Sequence, residues 1–295
     1  MRALVQHGTP MQSLQKVIEL LDLDFIEENH FLATSPNEGW QRVYGGQVIG
    51  QALVAASRTV DEDREAHSLH GYFLRPGDKS VPILYRVERI RDGRSFTTRR
   101  VTAIQHGQPI FSMSISFQVS EKGLTHQFVM PQAPAPDTLR DEDDIQAEQA
   151  QHWPPEFREN FSTSSAIQMR PVEPGDLMHP TVRAPHQMVW MRTREQLPDD
   201  PRLHQCALAY LSDWSLLDTA TLPHAISFLN DDIQMASLDH AMWFHRPFRA
   251  DAWLLYVQDS PSSSGARGFN RGLIYDEAGS LVASTTQEGL MRIRT

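Results

Sequence analysis

Tyr72-Phe73-Leu74-Arg75-Pro76 has a counterpart in Trp243-Phe244-His245-Arg246-Pro247, 171 residues further along the chain. The spacing recurs downstream. Arg94-Ser95-Phe96 matches Arg267-Gly268-Phe269 at 173, and Gly107-Gln108-Pro109-Ile110-Phe111-Ser112 matches Gly279-Ser280-Leu281-Val282-Ala283-Ser284 at 172. Each match alone is weak. Three in one order at a nearly constant offset mark a tandem duplication.

Each copy opens with a helix. Small and apolar residues predict one over 47–59, after Gly45-Gly46, and another over 201–211, where Asp199-Asp200 and Pro201 suit a helix start. Strands follow at 68–74, 81–90, 95–105 and 109–119, then at 238–245, 253–259, 266–276 and 281–292, with turn signals at Arg91-Asp92-Gly93, His106-Gly107 and Pro261 to Gly265. A helix plus an antiparallel meander predicts an α+β unit whose sheet wraps a central helix. The expected organisation is an N-terminal extension over 1–12, with Met1 and Met11 equally plausible as starts, a first unit over 13–120, a connector over 121–165 and a second unit over 166–295. Proline-rich sequence at 130–137 and an acidic, polar helix at 140–151 mark the connector.

Composition narrows the class. The chain has 295 residues, 40% hydrophobic and 22% charged, which excludes wholesale disorder and leaves enough length for one large domain or two small ones. A net charge of −10 argues against non-specific nucleic-acid binding, which depends on neutralising phosphates. The lone cysteine, Cys206, makes no internal disulfide and reads as a packed small residue. No apolar run approaches the roughly 18 residues of a membrane span. The first residues lack a sustained apolar stretch, so no secretory signal is expected there. Gly-x-Ser-x-Gly, His-Glu-x-x-His, P-loop and dinucleotide-binding motifs are all missing from the sequence.

Val43-Tyr44-Gly45-Gly46-Gln47, His70-Gly71-Tyr72-Phe73-Leu74-Arg75-Pro76-Gly77, Met130-Pro131-Gln132-Ala133-Pro134-Ala135-Pro136, the run from Asp239 to Pro247, and Gln287-Glu288-Gly289 together resemble the acyl-CoA thioesterase II family. The resemblance runs from about residue 13 to residue 292. It implies a double hotdog fold, two helix-wrapped sheets paired as a pseudo-dimer, and hydrolysis of fatty acyl-CoA to fatty acid and CoA with neither metal nor bound cofactor. It also implies an Asp, a Thr or Ser, and a Gln around the attacking water, which fall on Asp213, Ser237 and Gln287. Many members carry Thr where this chain has Ser237, which keeps the hydroxyl and loses a methyl.

The duplication tests that trio. In the strand expected at 109–119, Phe111, Met113, Ile115 and Phe117 alternate with Ser112, Ser114 and Ser116, which identifies the core-facing side. The offset of 172 sets Gln287 at the place of Ile115, on a buried face where an amide needs partners or a task. Ser237 corresponds to Ala66. Asp213 falls near the end of its helix, opposite Ala55 to Ser57, none of them acidic. One active site per chain is therefore expected, in the second copy.

Other residues have plainer readings. Gly45 and Gly46 permit close approach of backbone to substrate, or simply make a turn. His67 with His70 and His240 with His245 suggest a metal at first sight, but a strand does not present such spacings on one face and no further ligands cluster with them. Arg94, Arg99, Arg267 and Arg271 are candidates for CoA phosphates, although surface strands carry arginines routinely. A hotdog enoyl-CoA hydratase and a non-catalytic acyl-CoA sensor are the competing functions. The C-terminus lacks a Ser-Lys-Leu type address, so a cytoplasmic enzyme is expected. Acyl-CoA is the expected partner, and a homo-oligomer, dimer or tetramer, the expected assembly.

Overall fold

The computed structural model describes residues 14–35, 42–153, 167–194, 196–230 and 232–294. The extension expected over 1–12, with the choice of starting Met, lies outside the described residues. The first unit contains α1 (Leu14–Leu21), β1 (Asp24–Glu27), β2 (His30–Ala33), α2 (Gly45–Ser57), β3 (Arg64–Phe73), β4 (Ile83–Asp92), β5 (Phe96–Gln105) and β6 (Gln108–Val119). After a connector carrying α3 (Glu142–Ala150) come β7 (Ile167–Pro171), β8 (His186–Thr193), α4 (Pro201–Ser212), β9 (Ile233–Ser237), β10 (Asp239–Phe244), β11 (Leu254–Ser264), β12 (Arg267–Asp276) and β13 (Leu281–Ile293).

The strands join into one 13-stranded sheet in the order β1-β2-β4-β5-β6-β3-β10-β13-β12-β11-β8-β7, with β9 extending the β13 ladder. The seam is β3 against β10. There Tyr72 pairs with Asp239, His70 with Ala241 and Ser68 with Trp243. Adding 171 to Ser68 gives Asp239, and to Tyr72 gives Trp243, so the two outer pairs exchange and His70 meets its own duplicate. The duplication offset is thus the pseudo-twofold operation of the fold. Two helix-wrapped antiparallel sheets joined edge to edge form the expected α+β double hotdog.

Alternation along β6 buries Phe111, Met113, Ile115 and Phe117 against α2, whose Ile49, Ala52, Leu53, Ala55 and Ala56 are inaccessible to solvent. The helices α2 and α4 run antiparallel. A Cβ on Gly46 would lie 2.3 Å from the Tyr210 carbonyl, while at the opposite end Arg202 Nη1 donates to the Ser57 carbonyl at 3.2 Å. Asp200 caps α4 by accepting from the Arg202 N–H, with Pro201 in the first turn.

The copies differ where the second helix ends. Helix starts are 156 residues apart, strands 171 to 173, and the extra chain falls at residues 214–230, coiled into short 3₁₀ turns at Leu217–Ala220 and Leu222–His224. Glycines seat it. A Cβ on Gly289 would lie 2.1 Å from Leu217 Cδ1, and one on Gly268 2.5 Å from Ala220 Cβ; the first unit has Phe117 and Thr97 at the corresponding places.

Some expectations shift. Gly45 and Gly46 form the first turn of α2 rather than preceding it. Pro261 to Gly265 is not a loop: β11 continues to Ser264 through a register irregularity around Pro261, where the ladder needs no N–H from proline, and the chain reverses at Gly265 and Ala266, both at positive φ. The connector helix is shorter than 140–151 and half packed, since Ile145 and Ala150 are buried. The edge strands β1, β2, β7 and β8, with β9, were not anticipated. Among the described residues no helix is long and apolar enough to cross a membrane.

Candidate active site

Asp213 is the residue on which α4 ends, with φ −80° and ψ −12°. The C-terminus of its own helix disfavours a carboxylate, but the antiparallel pairing brings it to the N-terminus of α2, where the dipole favours one. A Cβ on Gly45 would lie 2.6 Å from Asp213 Oδ2, so only glycine admits the carboxylate at that distance. The first intrahelical bond of α2 runs from Val48 N to the Tyr44 carbonyl. The N–H groups of Gly45, Gly46 and Gln47 have no acceptor within the helix.

Gln287 and Ser237 converge on the other oxygen. Gln287 Nε2 donates to Asp213 Oδ1 at 2.5 Å, and Ser237 Oγ donates to the same atom at 3.4 Å. Gln287 is inaccessible to solvent and Asp213 only 6% exposed. The register sets Gln287 opposite Asn270 in β12 and Ser237 opposite Gly289 in β13. By the same ladders Ile115 faces Arg99, and Ala66 faces Phe117, so the duplicate positions hold as expected. The duplicate of Asp213 is Arg58, the residue ending α2, one place beyond the expected range.

His240 and Ser212 extend the cluster, with Asn270 and Tyr44 beside it. His240 Nδ1 lies 3.2 Å from Gln287 Nε2, and its Nε2 lies 2.9 Å from Ser212 Oγ. Burial pushes the His240 pKa down, against the smaller pull of the Asp213 charge. Among the described residues Gln287 Oε1 is buried without a partner, as is Asn270 Oδ1. Tyr44, whose hydroxyl donates to the Tyr210 carbonyl at 3.0 Å, has its pKa raised by burial and then by Asp213. Parity along β10 marks His240 as inward, since it alternates in phase with Met242 and Phe244; the sequence sets it aside as a structural or hydrogen-bonding histidine and does not tie it to the trio.

A pocket of about 230 Å³ opens onto the cluster, walled by Tyr44, Gly45, Phe73, Asp213, Ser237 and Leu238. Its rim carries Arg42 and Arg75. These are not the arginines singled out by sequence. Arg99 is buried at 1% exposure and holds Thr59 and Asp92, which removes it from any phosphate. Arg267 pairs with Glu288, and Arg271 with Asp259.

The histidine pairs separate. His67 Nε2 lies 2.8 Å from Ser116 Oγ, His70 packs edge-on against Trp243, and His245 Nε2 lies 2.8 Å from Ser284 Oγ. No cluster of three potential metal ligands occurs among the described residues. Cys206 is buried, with its thiol pushed up to about 12 by desolvation.

Fold and site together define a double-hotdog protein with a buried carboxylate and amide joined by a half-buried hydroxyl at the seam of its two units. Family models match along the same division: the acyl-CoA thioesterase N-terminal domain over residues 35–118, and acyl-CoA thioesterase over 157–290. The chain is 40% identical to acyl-CoA thioesterase 2 of Haemophilus influenzae over 279 residues, covering 95% of this chain and 98% of that protein. An acyl-CoA thioesterase II from Mycobacterium marinum superposes with a TM-score of 0.78 at 46% identity, covering 95% and 99% of the two chains. A hot dog fold protein of unknown function from Alicyclobacillus acidocaldarius, 18% identical, shares the fold with a TM-score of 0.75 over 94% and 98%. The chain belongs to the acyl-CoA thioesterase family.

Proposed function

We propose that this chain hydrolyses acyl-CoA thioesters with Asp213 as general base and with Gln287 and Ser237 orienting the attacking water. The observation that carries the reading is the convergence of Gln287 Nε2 and Ser237 Oγ on Asp213 Oδ1, with Asp213 and Ser237 lining the pocket and Gln287 Oε1 buried without a partner among the described residues. A water there donates one hydrogen to Gln287 Oε1 and the other to Asp213. Its oxygen attacks the thioester carbonyl carbon as Asp213 takes the proton. The N–H groups of Gly45 and Gly46 at the start of α2 receive the oxyanion. Collapse breaks the C–S bond, and the thiolate recovers the proton from Asp213, leaving a carboxylic acid and free CoA. Thioesters are electrophilic enough that an oriented water suffices, so no side-chain nucleophile is required.

Arg42 and Arg75 at the rim meet the phosphates of CoA, offsetting the negative charge of the chain locally. We assign the enzyme to the cytoplasm, supported by its single, buried cysteine, and to a homo-oligomer, dimer or tetramer. The deciding experiment is release of free thiol from a panel of acyl-CoAs. A thioesterase liberates CoA; a hydratase alters the acyl chain without doing so, and a sensor does neither.

A further inference from the structure

We infer that His240 is a positioning residue that, braced by Ser212, fixes the amide of Gln287 so that its carbonyl oxygen faces the water. The inference rests on the proposed roles of Asp213 and Gln287. It follows from hydrogen-bond polarity, traced from the helix inward.

Ser212 lies in the last turn of α4, and its Oγ donates to the Ala209 carbonyl at 2.9 Å. Having one proton, that hydroxyl acts only as an acceptor toward His240 Nε2, 2.9 Å away. His240 therefore carries its proton on Nε2, and Nδ1 presents a lone pair. Gln287 Nε2 donates into that lone pair at 3.2 Å and into Asp213 Oδ1 with its second hydrogen at 2.5 Å. An ionised carboxylate only accepts, so both neighbours demand the nitrogen on their side. The amide oxygen is left free for the water, and it is buried without a partner among the described residues. Burial, which favours the neutral imidazole, keeps Nδ1 available as an acceptor.

Without His240 one amide hydrogen is orphaned and the flipped amide loses part of its penalty, so the water meets a donor in place of an acceptor for a fraction of the time. Nothing in the first unit reproduces the device, since Leu69 occupies the corresponding place by the offset of 171. His240 does not touch the water or the thioester in this scheme, and its effect reaches the reaction through Gln287.

The wild-type protein provides the first test. With ¹⁵N-histidine labelling, long-range proton–nitrogen correlation spectra are expected to show His240 as the Nε2–H tautomer; an Nδ1–H tautomer would overturn the inference. Steady-state kinetics on folded variants provides the second. His240→Leu is expected to lower kcat by about tenfold or more with KM within about twofold, since only orientation of the water is lost. His240→Asn, whose Oδ1 sits near the place of Nδ1, is expected to return kcat to within about threefold of wild type. Wild-type kcat in folded His240→Leu, or no rescue by Asn, overturns the role. Asp213→Asn run alongside separates the cases: if it is inactive while His240→Leu is normal, only this inference fails, whereas an active Asp213→Asn removes the underlying reading.

Discussion

Arg58 and Asp213 occupy the same place in the two halves of the molecule, each being the residue on which the central helix of its unit ends. The duplication has reversed the charge there. Arg58 is spent locally, its Nη1 donating to the Leu23 carbonyl at 2.5 Å and its Nη2 pairing with Asp22. With Ile115 in place of Gln287 and Ala66 in place of Ser237, the first unit holds none of the three groups.

Substitution within the trio is expected to give graded losses. Asp213→Asn should lower kcat at least about a hundredfold with the fold retained, the contribution of a general base. Gln287→Ala should cost about tenfold or more through a misplaced water, and Ser237→Ala less, since its bond to Asp213 is long at 3.4 Å. Ile115→Ala should leave kcat of the folded fraction unchanged while lowering stability by about 2 to 5 kcal/mol. Thiol-release kinetics beside denaturant melts checks all four; a kcat loss in Ile115→Ala matching that of Gln287→Ala would mean a second working site.

Adjacent glycines should fail differently. Replacing glycine by alanine in a helix ordinarily stabilises it by up to about 1 kcal/mol. Gly45→Ala drives a methyl to within 2.6 Å of Asp213 Oδ2, so kcat should fall about a hundredfold. Gly46→Ala strikes the Tyr210 backbone instead and should lower the melting temperature, at a cost of about 1 to 3 kcal/mol. Comparable melting curves for the two variants would contradict this division.

Arg75→Gln should raise KM for acyl-CoA by about fivefold, corresponding to roughly 1 kcal/mol of charge-assisted contact. Acyl-pantetheine, which lacks the nucleotide phosphates, should show no such change. An equal rise with both substrates would assign Arg75 to loop structure, through its bond to the Pro109 carbonyl.

Glu142 should make stability depend on pH near neutrality. It lines a cavity of about 140 Å³, and burial, then the charges of Asp143, Asp218 and Asp141, raises its pKa to about 7. A raised acid pKa means the folded state holds the proton more tightly than the unfolded state. The resulting stabilisation is complete below about 4.5 and is lost as pH rises through 7. Glu142→Gln should therefore melt like wild type at pH 4 and above wild type at pH 8; equal melting at both would remove Glu142 as the source.

Sequence revealed most where it repeats. The offset of 171 to 173 carried the fold, the inward side of Gln287 and its pairing with Ile115, because register and parity are properties of spacing. It could not carry the end of α4: the offset drops to 156 at the helix starts and 155 at their ends, and the added chain at 214–230 hides the match between Asp213 and Arg58. Short edge strands such as β1 left no alternation to read, its four residues being exposed. Arg99 misled because an arginine in a strand reads as surface, whereas this one closes the Thr59 turn from within. His240 was legible in principle from its phase with Met242 and Phe244, but its partners come from α4 and β13, which no local pattern joins.

The seam between β3 and β10 pairs residues 167 to 175 positions apart in sequence. Ladders of such range carry a high loop-closure cost and are expected to close after each half has gathered its own local contacts. Until then both halves expose an unpaired edge, and covalent fusion keeps the correct partner at high effective concentration against strangers. The pocket takes Gly45 and Phe73 from one side of that seam and Asp213 and Ser237 from the other. With the roles proposed for Asp213 and Ser237, turnover is expected only from chains in which that seam has closed, and a half-assembled chain is expected to be chemically silent.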